Sequence, residues 1–202
     1  MANDTSTPDT LAPVTSPVAD GAVGVPEAKW YVAIVNHNNE LNVFRNLTSQ
    51  GYKAYVASQQ EKRIRANGRR VTVDRLVIPS KVFIHCTEQQ RRQLVTLPYI
   101  NRFMTDRASR ADGMTRSPLV VIPDHEMQTM RFMLGHSDSP VTIFDYPLQR
   151  GTEVEVVRGS LKGLCGEICE APDGTHSLTV RLDLLGCARV NISPLDVRPV
   201  NH

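Results

Sequence analysis

The chain of 202 residues is 41% hydrophobic, 22% charged and 5% aromatic, a globular balance that excludes wholesale disorder and leaves room for one or two small domains. No apolar run approaches the ~20 residues needed to cross a bilayer, and the first 28 residues lack the basic start and apolar stretch of a secretory signal, so a cytoplasmic protein with no membrane partner is expected. The net charge of +2 hides an asymmetry: from Arg45 to Arg116 fifteen Lys and Arg stand against five Asp and Glu, but from residue 120 onward seven stand against eleven, so the first half is the one suited to a polyanion.

Residues 1–28, rich in Asp, Pro, Ser and Thr, read as a disordered tail, because they cannot bury enough apolar surface to offset the entropy of ordering. From Lys29 a strand begins in which Trp30, Val32 and Ile34 alternate with Tyr31, Ala33 and Val35, apolar on both faces as a central strand would be. Asn38 or Asn39 can cap the next helix, with Leu41, Phe44 and Leu47 on one side and Gly51 closing it. Residues 52–58 make a second strand. The following segment holds Lys62, Arg63, Arg65, Arg69, Arg70 and Arg75 against only Glu61 and Asp74, and its Asn67-Gly68 pair predicts a hairpin with a type I′ turn. This arm is strongly cationic.

Past Pro79 comes the strand VFIHC, and Thr87 with Gln90 fits a capping box opening a helix through Leu94. Residues 99–104 read as a weak strand, residues 119–122 as another, and a helix capped by Asp124 carries Met127, Met130 and Leu134 on one face with Gly135 as its stop. That methionine stripe reads as core packing. Residues 136–148 hold two prolines and little periodicity, the mark of a linker. Beyond them only short strands follow, EVEVV, GEICEA, SLTVRL and ARVNI, which at this length predict a small barrel.

Catalytic and metal signals are missing. His125-Glu126 lacks the second histidine of a zinc-protease helix, no phosphate loop or nucleophile elbow occurs, and Cys165 and Cys169 fall on one predicted strand, spanning ~13 Å. Four unevenly spaced cysteines, with no CxxC, read as reduced thiols. No cofactor, metal or catalytic residue is therefore assigned.

Two regions together resemble the NusG family. RGTEVEVVRGSLKGLCGEI, at 150–168, is similar to the opening of a KOW motif, with Gly159, Gly163 and Gly166 at the family's glycines, and LLGCARVNISPLDVRPV is similar to its last two strands. Trp30-Tyr31-Val32, Glu40, the basic hairpin, RLVIPSKVFIHC, Leu97-Pro98-Tyr99-Ile100 before Phe103, and Pro123-Asp124 follow in the order of the family's N-terminal domain. The resemblance spans roughly residues 29–200. It departs where the family has Phe-Pro-Gly-aromatic and this chain has Ile78-Pro79-Ser80-Lys81, a drift that looks like operon-specific paralogues such as RfaH and the antiterminators of capsular-polysaccharide operons.

The resemblance implies an α+β fold: a tail at 1–28, a NusG-like N-terminal domain at 29–135 with an antiparallel sheet flanked by helices, a linker at 136–148, and an SH3-like KOW β-barrel at 149–202. It implies a transcription elongation and antitermination factor that binds the clamp helices of the largest RNA polymerase subunit through an apolar patch, with Trp30, Ile78, Pro79, Lys81 and Tyr99 as candidates. For Trp30, core packing is an equal alternative. In the same picture His37, Arg45, Arg63, Arg65, Arg69 and Arg70 lie close to non-template DNA or the upstream duplex, since guanidinium groups pair with phosphate or stack on unpaired bases. From residue 150 onward six Lys and Arg face seven Asp and Glu, so the barrel suits a protein, by resemblance a termination factor or a ribosomal protein. Two competing readings stay open: an RNA-binding or ribosome-associated KOW protein, and an enzyme whose motifs go unrecognised.

Overall fold

The computed structural model describes residues 26–106, 116–144, 151–171, 173–182 and 185–200; the proposed tail up to residue 25, most of the stretch between the strands expected at 99–104 and 119–122, and the end of the proposed linker lie outside them. Among the described residues no helix is long and apolar enough to cross a membrane.

In chain order the elements are β1 (Lys29–Ile34), α1 (Glu40–Ser49), β2 (Lys53–Tyr55), β3 (Ser58–Ile64), β4 (Arg70–Leu76), β5 (Lys81–Cys86), α2 (Glu88–Leu94), β6 (Arg102–Phe103), β7 (Val121–Ile122), α3 (Asp124–His136), β8 (Thr142–Phe144), β9 (Thr152–Val156), β10 (Cys165–Glu170), β11 (His176–Leu182), β12 (Gly186–Asn191) and β13 (Val197–Pro199). The first sheet runs β2-β5-β1-β6, with β7 also on β1, and every pair is antiparallel. Because β1 is apolar from Trp30 to Ile34, it is covered on both sides. Tyr31, Ala33 and Val35 pack with Val43 and Leu47 of α1 and Leu94 of α2, whereas Trp30 and Val32 pack with Phe83, Ile122 and the α3 residues Met127, Met130, Met133 and Leu134. The methionine stripe is core.

The local signals fare unevenly. The capping box forms, with the Gln90 amide donating to Thr87 Oγ1 at 3.3 Å and the Thr87 amide donating to Gln90 Oε1 at 2.9 Å. Asp124 is not the cap of α3 but its first residue, after Pro123, and its carboxylate instead accepts the Trp30 indole N–H at 2.8 Å. Gly135 does not stop α3, which runs one residue further. The arm turn is also not type I′: the Gly68 amide donates to the Arg65 carbonyl and only Gly68, not Asn67, has positive φ (+74°), which is a type I turn followed by a left-handed glycine at the bulge. The side chain of Asn67 is used differently, accepting from the Arg69 amide at 3.1 Å.

The C-terminal region is all-β, a six-stranded antiparallel sheet in the order β13-β9-β10-β11-β12-β8. Val154, Val156, Leu178, Val180, Leu182 and Val190 are buried within it. Gly166 of β10 is required by close approach, since a Cβ there would lie 2.7 Å from the Thr179 carbonyl oxygen. Residues 142–144, expected inside the linker, instead form β8, paired with β12 through Cys187↔Phe144 and Ala188↔Ile143. The short alternation Val141, Ile143 was too brief to stand out between prolines. Its apolar side is used all the same, for Val141 and Ile143 belong to a cluster that holds buried residues of both α3 and the C-terminal sheet.

Candidate docking groove and nucleic-acid arm

Side-chain alternation puts Trp30, Val32 and Ile34 of β1 on the same face as Lys81, Phe83 and His85 of β5, their register partners. At one end of that face α3 seals the surface. Trp30 is 2% exposed there, tied to Asp124, with the Arg131 guanidinium 4.8 Å from its ring centroid and 4.7 Å from that of Tyr55. Lys53 lies over the same indole at 5.3 Å, and burial, with Lys53 close by, pushes the His85 imidazole below its ordinary pKa. Trp30 is therefore a core residue in this structure, and its side chain presents no docking surface.

The opposite end of the face is open. Ile34, Ser80, Lys81, Arg102, Met104 and Thr105 line a groove of 430 Å³, apolar at Ile34 and Met104 and cationic at Lys81 and Arg102. The turn entering β5 forms its rim. Ser80 sits at φ +61°, an unfavourable conformation for a side-chain-bearing residue, and its amide donates at 2.6 Å to Glu40 Oε1. Glu40 is 1% exposed at the start of α1 and also holds His37 Nδ1 at 3.9 Å. Thus the first helix fixes the turn that carries the groove's rim.

The five docking candidates consequently separate. Lys81 lines the groove and Pro79 is exposed beside it. Ile78 is 6% exposed and packs into the core with Ala57 and Phe83, so this position is a correction: an apolar residue between two strands anchored the turn inward instead of facing solvent. Tyr99 lies with the α1 and α2 cluster, on the far side of the sheet, where its hydroxyl accepts from Gln50 Nε2 at 3.1 Å. Ile34, Arg102 and Met104 were missed. The phase of β1 relative to β5 could have found Ile34, but Arg102 and Met104 depend on a two-residue strand with almost no sequence signal.

The arm, β3 and β4, is a two-stranded sheet of its own in register Ser58↔Leu76 through Ile64↔Arg70. Residues 62–70 are all exposed. Arg63 is bound to Glu61 at 3.1 Å, while Arg65, Arg69 and Arg70 have no carboxylate partner among the described residues. His37 and Arg45 do not join them. His37 is 65% exposed beside the β5 turn and Arg45 is on α1, whose packing is to the other face of the sheet.

At its base the arm is fastened. Gln59, 7% exposed, donates through Nε2 to the carbonyls of Ser137 (3.2 Å) and Ser139 (2.9 Å), and its Oε1 accepts from the Val141 amide (2.9 Å) and from Arg75 Nη2 (3.2 Å). Arg75 also donates to the Val141 carbonyl at 2.7 Å. The segment leading from α3 to β8 is therefore strapped to the cationic arm, and no sequence pattern announced it.

A family model described as "Transcription termination factor nusG" matches residues 28–131. Among solved structures, one titled "Domain interaction in Thermotoga maritima NusG" is 17% identical, with a TM-score of 0.45 over 87% of this chain and 98% of that one. A chain of the "MjSpt4:Spt5 complex conformation B" is 12% identical, with a TM-score of 0.27 over 86% and 97%. No curated protein sequence matches this chain.

Proposed function

The chain belongs to the NusG family of transcription factors, and from that premise we propose that it is an elongation and antitermination factor, cytoplasmic, which docks on the clamp helices of the largest RNA polymerase subunit through the groove of Ile34, Lys81, Arg102 and Met104 and acts on particular operons. The observation that carries this reading is the open end of the α3-side sheet face. An apolar floor flanked by two cations suits an amphipathic helix with acidic edges. In this reading residues 29–135 are the polymerase-facing domain, and the C-terminal sheet, beginning at β8, receives a protein partner such as a termination factor or ribosomal protein.

The arm supplies the second contact. Arg65, Arg69 and Arg70, exposed and without a carboxylate partner among the described residues, are suited to phosphates of the upstream duplex or to the non-template strand. Lys81→Glu with Arg102→Glu should abolish retention of polymerase subunits from nuclease-treated lysate, because both charges sit on the groove and neither side chain is core. Arg69→Glu with Arg70→Glu should leave that retention intact but weaken DNA-dependent recruitment and flatten its salt dependence. Retention of ribosomal RNA from the same lysate before nuclease treatment, with no polymerase retained after it, would instead favour an RNA-binding role and refute the docking assignment.

A further inference from the structure

One residue of the arm does not fit a purely electrostatic contact. Ile64 is 69% exposed, on the same ribbon face as Lys62, Arg70 and Thr72 by the pairs Ile64↔Arg70 and Lys62↔Thr72. From residue 62 to 70 the chain has five cations and no acid. A scattered exposed aliphatic residue usually means nothing. Here it stands among cations in the exposed stretch from residue 62 to 70, at the far end of β3 from the fastened base, and an isobutyl-sized group gains nothing from a phosphate. It gains from an apolar group on a base edge.

We propose that the arm enters the major groove of B-form DNA as a two-stranded ribbon, with Arg65, Arg69 and Arg70 on phosphates and base edges and Ile64 against thymine methyl groups. This deepens, and rests on, the reading of the arm as a DNA contact. The dimensions agree: strands ~4.8 Å apart with side chains on both faces fill a groove ~12 Å wide. The four residues from Lys62 to Arg65, where the turn begins, span roughly 10 Å at ~3.3 Å per step, enough for the ~8.5 Å depth of the groove. The deep, narrow major groove of an A-form RNA duplex does not admit such a ribbon. The methyl of thymine projects only into the major groove, which gives Ile64 a hydrophobic target and the arm a base preference that charge alone cannot provide.

The test uses the full chain and fluorescence anisotropy with three labelled duplexes of one A·T-rich sequence: DNA, the same DNA with every thymine replaced by deoxyuridine, and RNA. The unsubstituted DNA should bind about fivefold more tightly than the deoxyuridine duplex, as expected for loss of apolar contacts to a few methyl groups, and the RNA more weakly still. Ile64→Ala, an exposed and structurally tolerant change, should bind both DNA duplexes equally. Equal affinity of the unaltered protein for the two DNA duplexes, equal affinity for RNA, or a thymine preference that survives Ile64→Ala would each overturn the proposal. Arg69→Glu with Arg70→Glu separates the two levels. If that variant loses DNA binding while the methyl effect is absent, only groove insertion falls; if it binds as well as the unaltered protein, the DNA contact falls with it.

Discussion

Replacing Gln59 by Leu should release the segment between α3 and β8. The side chain makes four hydrogen bonds, but its loss does not orphan all four partners. Ser139 O keeps the Ser137 hydroxyl at 2.7 Å, and Arg75 Nη2 keeps the Val141 carbonyl at 2.7 Å. What remains unpaired is the buried Val141 amide and the half-buried Ser137 carbonyl. At ~1–3 kcal/mol for the first and about 1 kcal/mol for the second, the cost is roughly 2–4 kcal/mol. Hydrogen exchange followed by mass spectrometry reads this directly: about 3 kcal/mol corresponds to roughly a hundredfold faster exchange of the Val141 amide. Gln59→Glu keeps the acceptor for Val141 and Arg75 and loses only the two donated bonds, so its exchange should fall between the two. If Gln59→Leu exchanged at Val141 within threefold of the unaltered protein, the strap would not be held by this side chain and the reasoning would be refuted.

Further outcomes follow from the same geometry. Trp30, the single tryptophan, should cost ~3–5 kcal/mol when changed to Ala and less as Phe, which keeps the ring packing but loses the bond to Asp124; denaturation followed by circular dichroism measures both. Glu88 is held down to a pKa of about 2, first by its hydrogen bonds to Arg91 and then through Arg92. Because the folded value lies below the ordinary carboxylate value of 4.5, its contribution is complete above that pH and disappears as pH falls toward 2. Glu88→Gln should accordingly flatten the acid limb of a stability profile, and an unchanged limb would count against the pair. Among the thiols, burial pushes Cys86 up to about 11 and Cys187 is buried, while Cys165 is exposed. Alkylation at pH 8 should label Cys165 first and reach Cys86 and Cys187 only on unfolding, as peptide mass mapping would reveal.

Much of this protein was legible without coordinates wherever a local rule decides the outcome. The unbroken apolar run of β1 requires cover on both faces, Thr87 and Gln90 close their capping box within four residues, and the cations of the arm repel burial so strongly that exposure follows from composition. Other outcomes belong to distant partners. Ile78 and Lys81 are three residues apart in one turn, yet one is core and the other lines a groove, because the Glu40 carboxylate and the pairing of β5 with β1 set how that turn is rolled. Asp124 had the chemistry of a helix cap but met an indole N–H from a strand 94 positions earlier. Asn67 and Gly68 suited one turn type and took another once the neighbouring strands fixed the register. Residues 142–144 pair only because β12, more than 40 residues later, offers an open edge. Composition and periodicity specify which groups must be buried or solvated; which of several suitable partners each one meets is a property of the assembled sheets.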